Sequence, residues 1–281
     1  MKDPLQTVHI KDREFNLLSD LVYQTIGINL GPAKKELLRT RLGKRLRLLG
    51  IPTFKAYYKY VTEENKDELT NLFDAISTNL TSFFREQKHF DFLTETVLPE
   101  IMAEGKRRGD WTLRVWSAAC STGEEPYSLA ITLAEYLGES SKWGVKILAT
   151  DINTEVLEKA RHGEYKEARV ADLSKIMKRK YFLCGEGRKA GMVKVKRELR
   201  HMVTFRRLNL TIPRYPFRKE FDFIFCRNVM IYFDKFTQKQ IIDRVYRHLK
   251  KGGYLFLGHA ESLTGIETDF KYIQPTIYKK I

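Results

Sequence analysis

The residues from Leu113 to Leu129, LRVWSAACSTGEEPYSL, have the types and spacing to hold a ligand against the backbone. Leu113, Val115 and Trp116 read as a strand, Ala118 through Gly123 lack bulk, and Glu124, Glu125 and Pro126 open a helix, where acidic residues and proline are favoured. A strand running through a tight turn into a helix N-terminus is the first crevice of a doubly wound α/β sheet, where nucleotide-like ligands sit. The phosphate-binding form of this turn is glycine-rich and aims the helix dipole at an anion. Here a single glycine, Gly123, is followed by two carboxylates, which disfavours a pyrophosphate and favours an uncharged or cationic nucleoside with free ribose hydroxyls. Asp151 supports the same chemistry. It ends the apolar run VKILATD (145–151), and an acidic residue at the tip of the second strand is where such folds hold ribose hydroxyls. Carboxylates at both places point to S-adenosylmethionine rather than a dinucleotide. The same residues would also serve as plain caps of a strand end and a helix start.

The elements that must position these groups follow from periodicity. Phe15, Leu18, Leu21 and Val22 recur at helical spacing up to Gly27, and Gly31-Pro32 opens a second helix with Leu38, Leu42, Leu46 and Leu49 on one side. Lys34, Arg41 and Arg45 share another stripe of that helix, and Lys44 and Arg47 add to its charge. Two further helices start near Phe54 and Leu69, so residues 1–76 read as a small helical domain. Residues 77–110 form a polar bridge, STNLTSFFREQ, and a helix that stops between Pro99 and Gly105. An α/β domain follows over 111–281, with later strands at 203–210, 221–226 and 254–258, a Lys251-Gly252-Gly253 turn leading into the last of these, and a hairpin arm near 272–279. The roughly 40 residues before the strand at 203 exceed an ordinary connection. They hold a helix near 172–182, a turn supplied by Gly185, Gly187 and Gly191, and the alternation Val193-Lys194-Val195-Lys196, which predicts a small antiparallel insertion at about 164–202.

Composition sets further bounds. The chain of 281 residues is 43% hydrophobic, ordinary for a globular protein, and no apolar run approaches the ~18–20 residues of a membrane span. The N-terminal stretch MKDPLQTVHIKDRE is charged throughout and has no apolar signal core, so a cytoplasmic protein is expected, with no membrane insertion. Cys120, Cys184 and Cys226 form no CxxC pair, which argues against a disulfide framework or a zinc site, and no metal is expected; Cys226 reads as a small core residue. The net charge is +15, and residues 161–220 alone carry +12, with 18 basic and 6 acidic side chains. Such a localised field attracts an acidic partner.

Four segments together carry a resemblance: STNLTSFFRE (77–86), WSAACSTGEEPYSLA (116–130), ATDINTEVLEKA (149–160) and FCRNVMIYFD (225–234). In this order and spacing, over nearly the whole chain, the sequence resembles the CheR family of chemoreceptor glutamate O-methyltransferases. The resemblance implies a class I S-adenosylmethionine-dependent methyltransferase domain, Rossmann-like α/β, behind an all-helical N-terminal domain and carrying a small antiparallel β insertion. It implies methylation of glutamates on cytoplasmic helices of methyl-accepting chemoreceptors, with S-adenosyl-L-homocysteine as the second product, in chemotaxis adaptation. The positions implied to face the cofactor are Asn79, Thr81, Arg85, Glu125, Asp151, Asn209, Leu210, Arg227 and Asn228. Arg85 would steer a carboxylate, and Tyr232 would border the methyl group. The acidic receptor helices would meet Lys34, Arg41, Lys44, Arg45 and Arg47. In part of the family such an insertion docks a receptor-tail peptide as an added strand, and here Lys194, Lys196 and Arg197 could pair with the carboxylates of such a tail. A monomer is expected, with no nucleic-acid partner.

Two competing readings remain at this level. The charge alone would suit an RNA methyltransferase, but the fourth strand is followed by CRNVMIYF, without the Asn-Pro-Pro-aromatic turn common in base-amine methylation. A cofactor-binding adaptor without turnover is the second.

Overall fold

The computed structural model describes residues 9–139 and 141–281; Met1–Val8, the start of the charged N-terminal stretch, lie outside the described residues. Four helices open the chain: α1 (Asp12–Ile26), α2 (Lys35–Leu49), α3 (Phe54–Lys59) and α4 (Glu68–Ile76). Their apolar stripes meet in one core that includes Leu18, Val22, Leu38, Leu42, Leu46 and Tyr57. Gly27 and Gly50 end α1 and α2 in the left-handed conformation that glycine adopts at least cost, as the sequence predicts.

The expectation for the α2 basic stripe is corrected in part. Arg45 does not face outward: its Nε and Nη2 donate to the two carboxylate oxygens of Glu68 at 2.6 and 2.7 Å, and Glu68 is only 2% exposed. Arg41 Nη1 donates to the carbonyls of Ile76 and Ser77 at 2.6 and 2.7 Å. A carboxylate that apolar helices bury must be neutralised where it lies, and a bidentate arginine does this best. Arg41 supplies the carbonyls that α4 leaves unpaired at its end. Lys34, Lys44 and Arg47 remain exposed.

Residues 88–108 form one continuous helix, α5 (Lys88–Phe92), a wide turn at Leu93–Val97, and α6 (Leu98–Arg108). It runs past Pro99 and Gly105, contrary to expectation. Pro99 directly follows the wide turn at Leu93–Val97, where the hydrogen-bond register of the helix changes. Gly105 is needed because Trp143 crosses there; a Cβ would stand 2.3 Å from that ring. Phe90, Leu93, Val97 and Leu98 pack into the core of the α/β domain.

That domain is built on β1 (Thr112–Ala118), α7 (Glu124–Leu137), β2 (Gly144–Asp151), α8 (Thr154–His162), β6 (Val203–Arg207), β7 (Phe221–Cys226), α11 (Lys235–His248), β8 (Leu249–Phe256), β9 (Phe270–Gln274) and β10 (Ile277–Lys280). The strand order is β6-β2-β1-β7-β8-β10-β9; the first five are parallel, and the β9–β10 hairpin runs antiparallel. Alternation divides β1 between two cores, Leu113 and Val115 on one face, Trp116 and Ala118 on the other. The order reverses between β2 and β7 around β1, which opens a crevice at the carboxyl ends of these strands. Two boundaries differ from the sequence reading. β6 stops at Arg207, because Asn209 turns the chain by accepting from Thr211 N at 2.9 Å. Gly252-Gly253 lie inside β8 as a bulge, with Phe221 paired to Leu249 and Phe223 to Tyr254.

Between α8 and β6 the insertion contributes β3 (Glu164–Lys166), α9 (Lys175–Tyr181), β4 (Phe182–Cys184), β5 (Met192–Val195) and α10 (Arg197–Met202). Its three strands form an antiparallel sheet, β3-β5-β4. Lys194 already pairs with Glu164 at 2.9 Å, and Lys196 Nζ donates to Arg179 O at 3.0 Å, so neither is the free cation expected from the sequence. No helix among the described residues is long and apolar enough to cross a membrane.

Candidate active site

The helical domain closes the crevice from above. Asp74 receives Thr154 N and Oγ1 at 2.9 and 2.6 Å, Asn209 Nδ2 donates to Thr25 O at 2.8 Å, and Asn29 N donates to Tyr232 O at 2.9 Å. The bridge 77–87 lies between the domains. Phe84 and Glu86 adopt left-handed φ of 52° and 62°, held by Phe84 N on Ser128 Oγ at 2.9 Å and by the Glu86 contacts below. The result is one cavity whose walls include Asn79, Thr81, Arg85, Glu125, Asp151, Asn209, Leu210, Arg227, Asn228 and Tyr232. Ten positions spread over 154 residues of sequence thus meet at one place. Ile28, Asn29 and Leu30, from the turn after α1, line the same cavity; nothing in their types distinguishes them from an ordinary interhelical loop.

The turn after β1 is tightly wound. Ala119, Ser121 and Gly123 have φ of 60°, 49° and 97°. Small side chains are required there: a Cβ on Gly123 would stand 2.8 Å from Ala160 Cβ. Asp151, 7% exposed, accepts from Ser121 N at 2.8 Å and Asn153 N at 2.9 Å, one on each oxygen. Each oxygen therefore keeps acceptor capacity. Burial pushes this carboxyl up from its ordinary range, against the pull of the backbone N–H groups.

Arg227 and Glu86 form a clamp that periodicity does not reveal. Arg227, 4% exposed, places Nη2 2.9 Å from Glu86 Oε2 and Nη1 3.2 Å from Glu125 Oε2, and Nη2 also donates to Arg85 O. Its guanidinium is thus directed at protein groups. Asn228, with φ 57°, donates Nδ2 to Glu86 Oε1 at 3.2 Å, while Glu261 accepts from its N–H at 2.8 Å. One cation between two carboxylates splits them. Burial raises the Glu86 carboxyl, but Arg227, His259 N–H and Asn228 outweigh it and hold it below its usual range. Burial dominates at Glu125 and leaves it raised, despite Arg227 and a 2.6 Å bond from Ser117. Asn209 is also more occupied than its sequence position implies, since Oδ1 accepts twice from Thr211 and Nδ2 donates to Thr25 O. Only its second amide proton is available to a ligand. Arg85, half-buried, donates to Leu80 O at 2.9 Å, and Tyr232 lines the cavity beside it. The arrangement suits a nucleoside sulfonium: acceptors for hydroxyls at Asp151, a second carboxylate at Glu125, and apolar walls at Ile28, Ile152 and Leu210.

His89 lies beneath the clamp, 2% exposed, with Nε2 2.8 Å from Thr276 Oγ1. Burial and the nearby Arg227 charge push it down from 6.5 to about 4. The unfolded chain therefore binds this proton more tightly, so the stability linked to His89 is complete above its ordinary value of 6.5 and is lost as pH falls toward 4. The loss should reach about 3 kcal/mol by the acid end of that window. Urea denaturation at several pH values checks this; a His89→Gln variant should show a flatter dependence, and an identical slope would refute it.

Comparison with known proteins agrees with this geometry. The family model described as CheR methyltransferase, SAM binding domain, matches residues 79–279, and that described as CheR methyltransferase, all-alpha domain, matches residues 13–77. A chemotaxis protein methyltransferase of Borreliella burgdorferi is 42% identical over 97% of this chain and 96% of its own length. Proteins of the same description from Salmonella typhimurium and Escherichia coli are 43% and 42% identical, over 97% and 96% of this chain and 92% and 91% of theirs.

Proposed function

Because the chain belongs to the CheR methyltransferase family, and so is an enzyme with an S-adenosylmethionine-binding domain of class I, Rossmann-like architecture, we propose that it methylates glutamate side chains on the cytoplasmic helices of chemoreceptors. The observation that carries this reading is the convergence of Asn79, Arg85, Glu125, Asp151, Arg227 and Tyr232 on one cavity roofed by the helical domain.

When bound, S-adenosylmethionine supplies an electrophilic methyl on a sulfonium that is already a good leaving group. A glutamate, with a reference pKa of about 4.3, is ionised near neutrality and needs no general base. The protein's task is then alignment and removal of water. Asp151 holds the ribose hydroxyls, and Glu125 accepts from a hydroxyl or the ammonium. Asn79 and Thr81 border the cofactor on the bridge side, with Asn209 and Leu210 on the adenine side. Arg227 and Asn228 act through Glu86 and Glu125, keeping the bridge seated. Arg85 steers a carboxylate, and the Tyr232 hydroxyl orients the attacking oxygen.

Transfer of labelled methyl to purified receptor cytoplasmic fragments tests the activity, with base-labile release marking an ester. Tight cofactor binding without label on a well-folded receptor would favour the adaptor reading. We assign receptor docking to the exposed Lys34, Lys44 and Arg47. A Lys44→Glu, Arg47→Glu double variant should slow receptor methylation roughly tenfold at low salt, less at high salt, with cofactor affinity unchanged. Arg45→Ala is the contrasting control: it should lower stability, since it strands the buried Glu68. An unchanged methylation rate in the double variant would remove this surface. The receptor tail is assigned to the β4 edge of the insertion, where Leu183 is exposed.

A further inference from the structure

A concentration of positive charge lies apart from the cavity described above. Arg197, Arg200 and His201 fall on one side of α10 by their spacing of three and four. They meet Arg161, at the end of α8, and Thr204 and Arg206 on β6 in a separate cleft, which shares no lining residue with the methyl-transfer cavity. Thr204 and Arg206 alternate to the exposed side of this edge strand, while Val203 and Phe205 are buried.

The four guanidiniums are poorly neutralised. Arg161 pairs with Glu158, but Arg197, Arg200 and Arg206 have no carboxylate partner among the described residues. Arg197 Nε donates to His201 Nε2 at 3.2 Å, Arg206 Nη1 to Phe205 O at 3.0 Å, and the buried Nε of Arg200 has no partner. Arg200 is seated beside Gly163, where a Cβ would stand 3.2 Å from its Cδ and 3.2 Å from the Tyr127 hydroxyl oxygen. A buried donor left unpaired is destabilising, and gathered like charges add to it. An anion in the cleft relieves the gathered charge. Guanidinium forks match pairs of phosphate oxygens, and Thr204 adds a hydroxyl. Tyr127 and Phe205 are buried, so they offer no ring face for a stacked base.

We propose that this cleft binds a phosphate-bearing small molecule with at least two negative charges, recognised through its phosphate groups. The test is calorimetric titration of the full chain with inorganic pyrophosphate and with ATP, near physiological salt. One saturable site is expected for both, and equal affinities or tighter ATP binding distinguish a free polyphosphate from a nucleotide as its natural source. Arg200→Gln and Arg206→Gln should each weaken binding about tenfold, the effect of one charge-assisted hydrogen bond. S-adenosylhomocysteine affinity should be unchanged in both. Arg206 is exposed, so its variant keeps the test decisive if Arg200→Gln misfolds. Absence of saturable heat with either probe, or pyrophosphate binding unaffected by Arg206→Gln, would overturn the proposal. Tighter binding of a single-stranded RNA through the same arginines would overturn it in favour of a nucleic-acid surface.

Discussion

Arg227→Gln is expected to cost about 3–5 kcal/mol of folding stability, the range for breaking one partner out of a buried ion pair. The variant would leave Glu86 and Glu125 facing each other across the site without the cation that lies 2.9 and 3.2 Å from them. Two responses are open to the protein, protonation of a carboxylate or opening of the bridge, and both damage the site. Methyl transfer should therefore fall by about 10²-fold or more even below the melting temperature, since a displacement of about 1 Å suffices for such a loss. Urea denaturation and single-turnover methylation at a low temperature separate the two effects. The control is Glu86→Gln, Arg227→Gln. Removing both members of the outer pair should recover part of the stability but not the rate, because Glu125 is still unpaired. A single variant within about 1 kcal/mol of the wild type, against the cost of a stranded buried charge, would show that the clamp is unimportant.

Asp151→Asn is expected to raise the dissociation constant of S-adenosylhomocysteine by roughly 10²-fold, with the fold intact. Hydrogen bonds to a charged acceptor contribute about 1.5–3 kcal/mol each, and two ribose hydroxyls are to be held. The amide has a further handicap. Both oxygens of Asp151 already accept a backbone N–H, from Ser121 and Asn153, so an Asn side chain must point its own N–H₂ at one of these donors. The pH dependence has a definite sign. Because burial raises the Asp151 carboxyl, wild-type affinity should begin to fall, as pH is lowered, at a higher pH than an ordinary aspartate would give. The Asn variant should lack that component. Calorimetry across pH decides it, and equal affinities at neutral pH would detach Asp151 from the ribose.

That Glu125 and Asp151 meet at one crevice was legible because the strand-turn-helix and the strand-tip carboxylate are contiguous signals. A few neighbouring residues specify them, through small size, an acidic helix start and apolar runs of the right length. The helical domain, the succession of strands along the chain and the antiparallel insertion were legible for a related reason, since hydrophobic periodicity is local. Boundaries failed where a side chain from elsewhere intervened. Gly105 makes room for Trp143 inside a helix rather than ending it, and β6 ends early because the Asn209 amide closes a turn.

Charge was the least readable property. Arg41, Arg45, Lys44 and Arg47 look alike on α2, yet two of them are committed to Ile76, Ser77 and Glu68, while the other two face solvent. Glu86 and Arg227 are 141 positions apart, and no pattern in either neighbourhood names the other. The sequence by itself determined the class of fold, the family and the carboxylates suited to a nucleoside. The tertiary structure alone decided which charges are spent inside the protein and which are left for ligands. The reason is range: periodicity and turn chemistry act over a few residues, whereas the state of a buried charge depends on which oppositely charged atom the folded chain brings within about 3 Å.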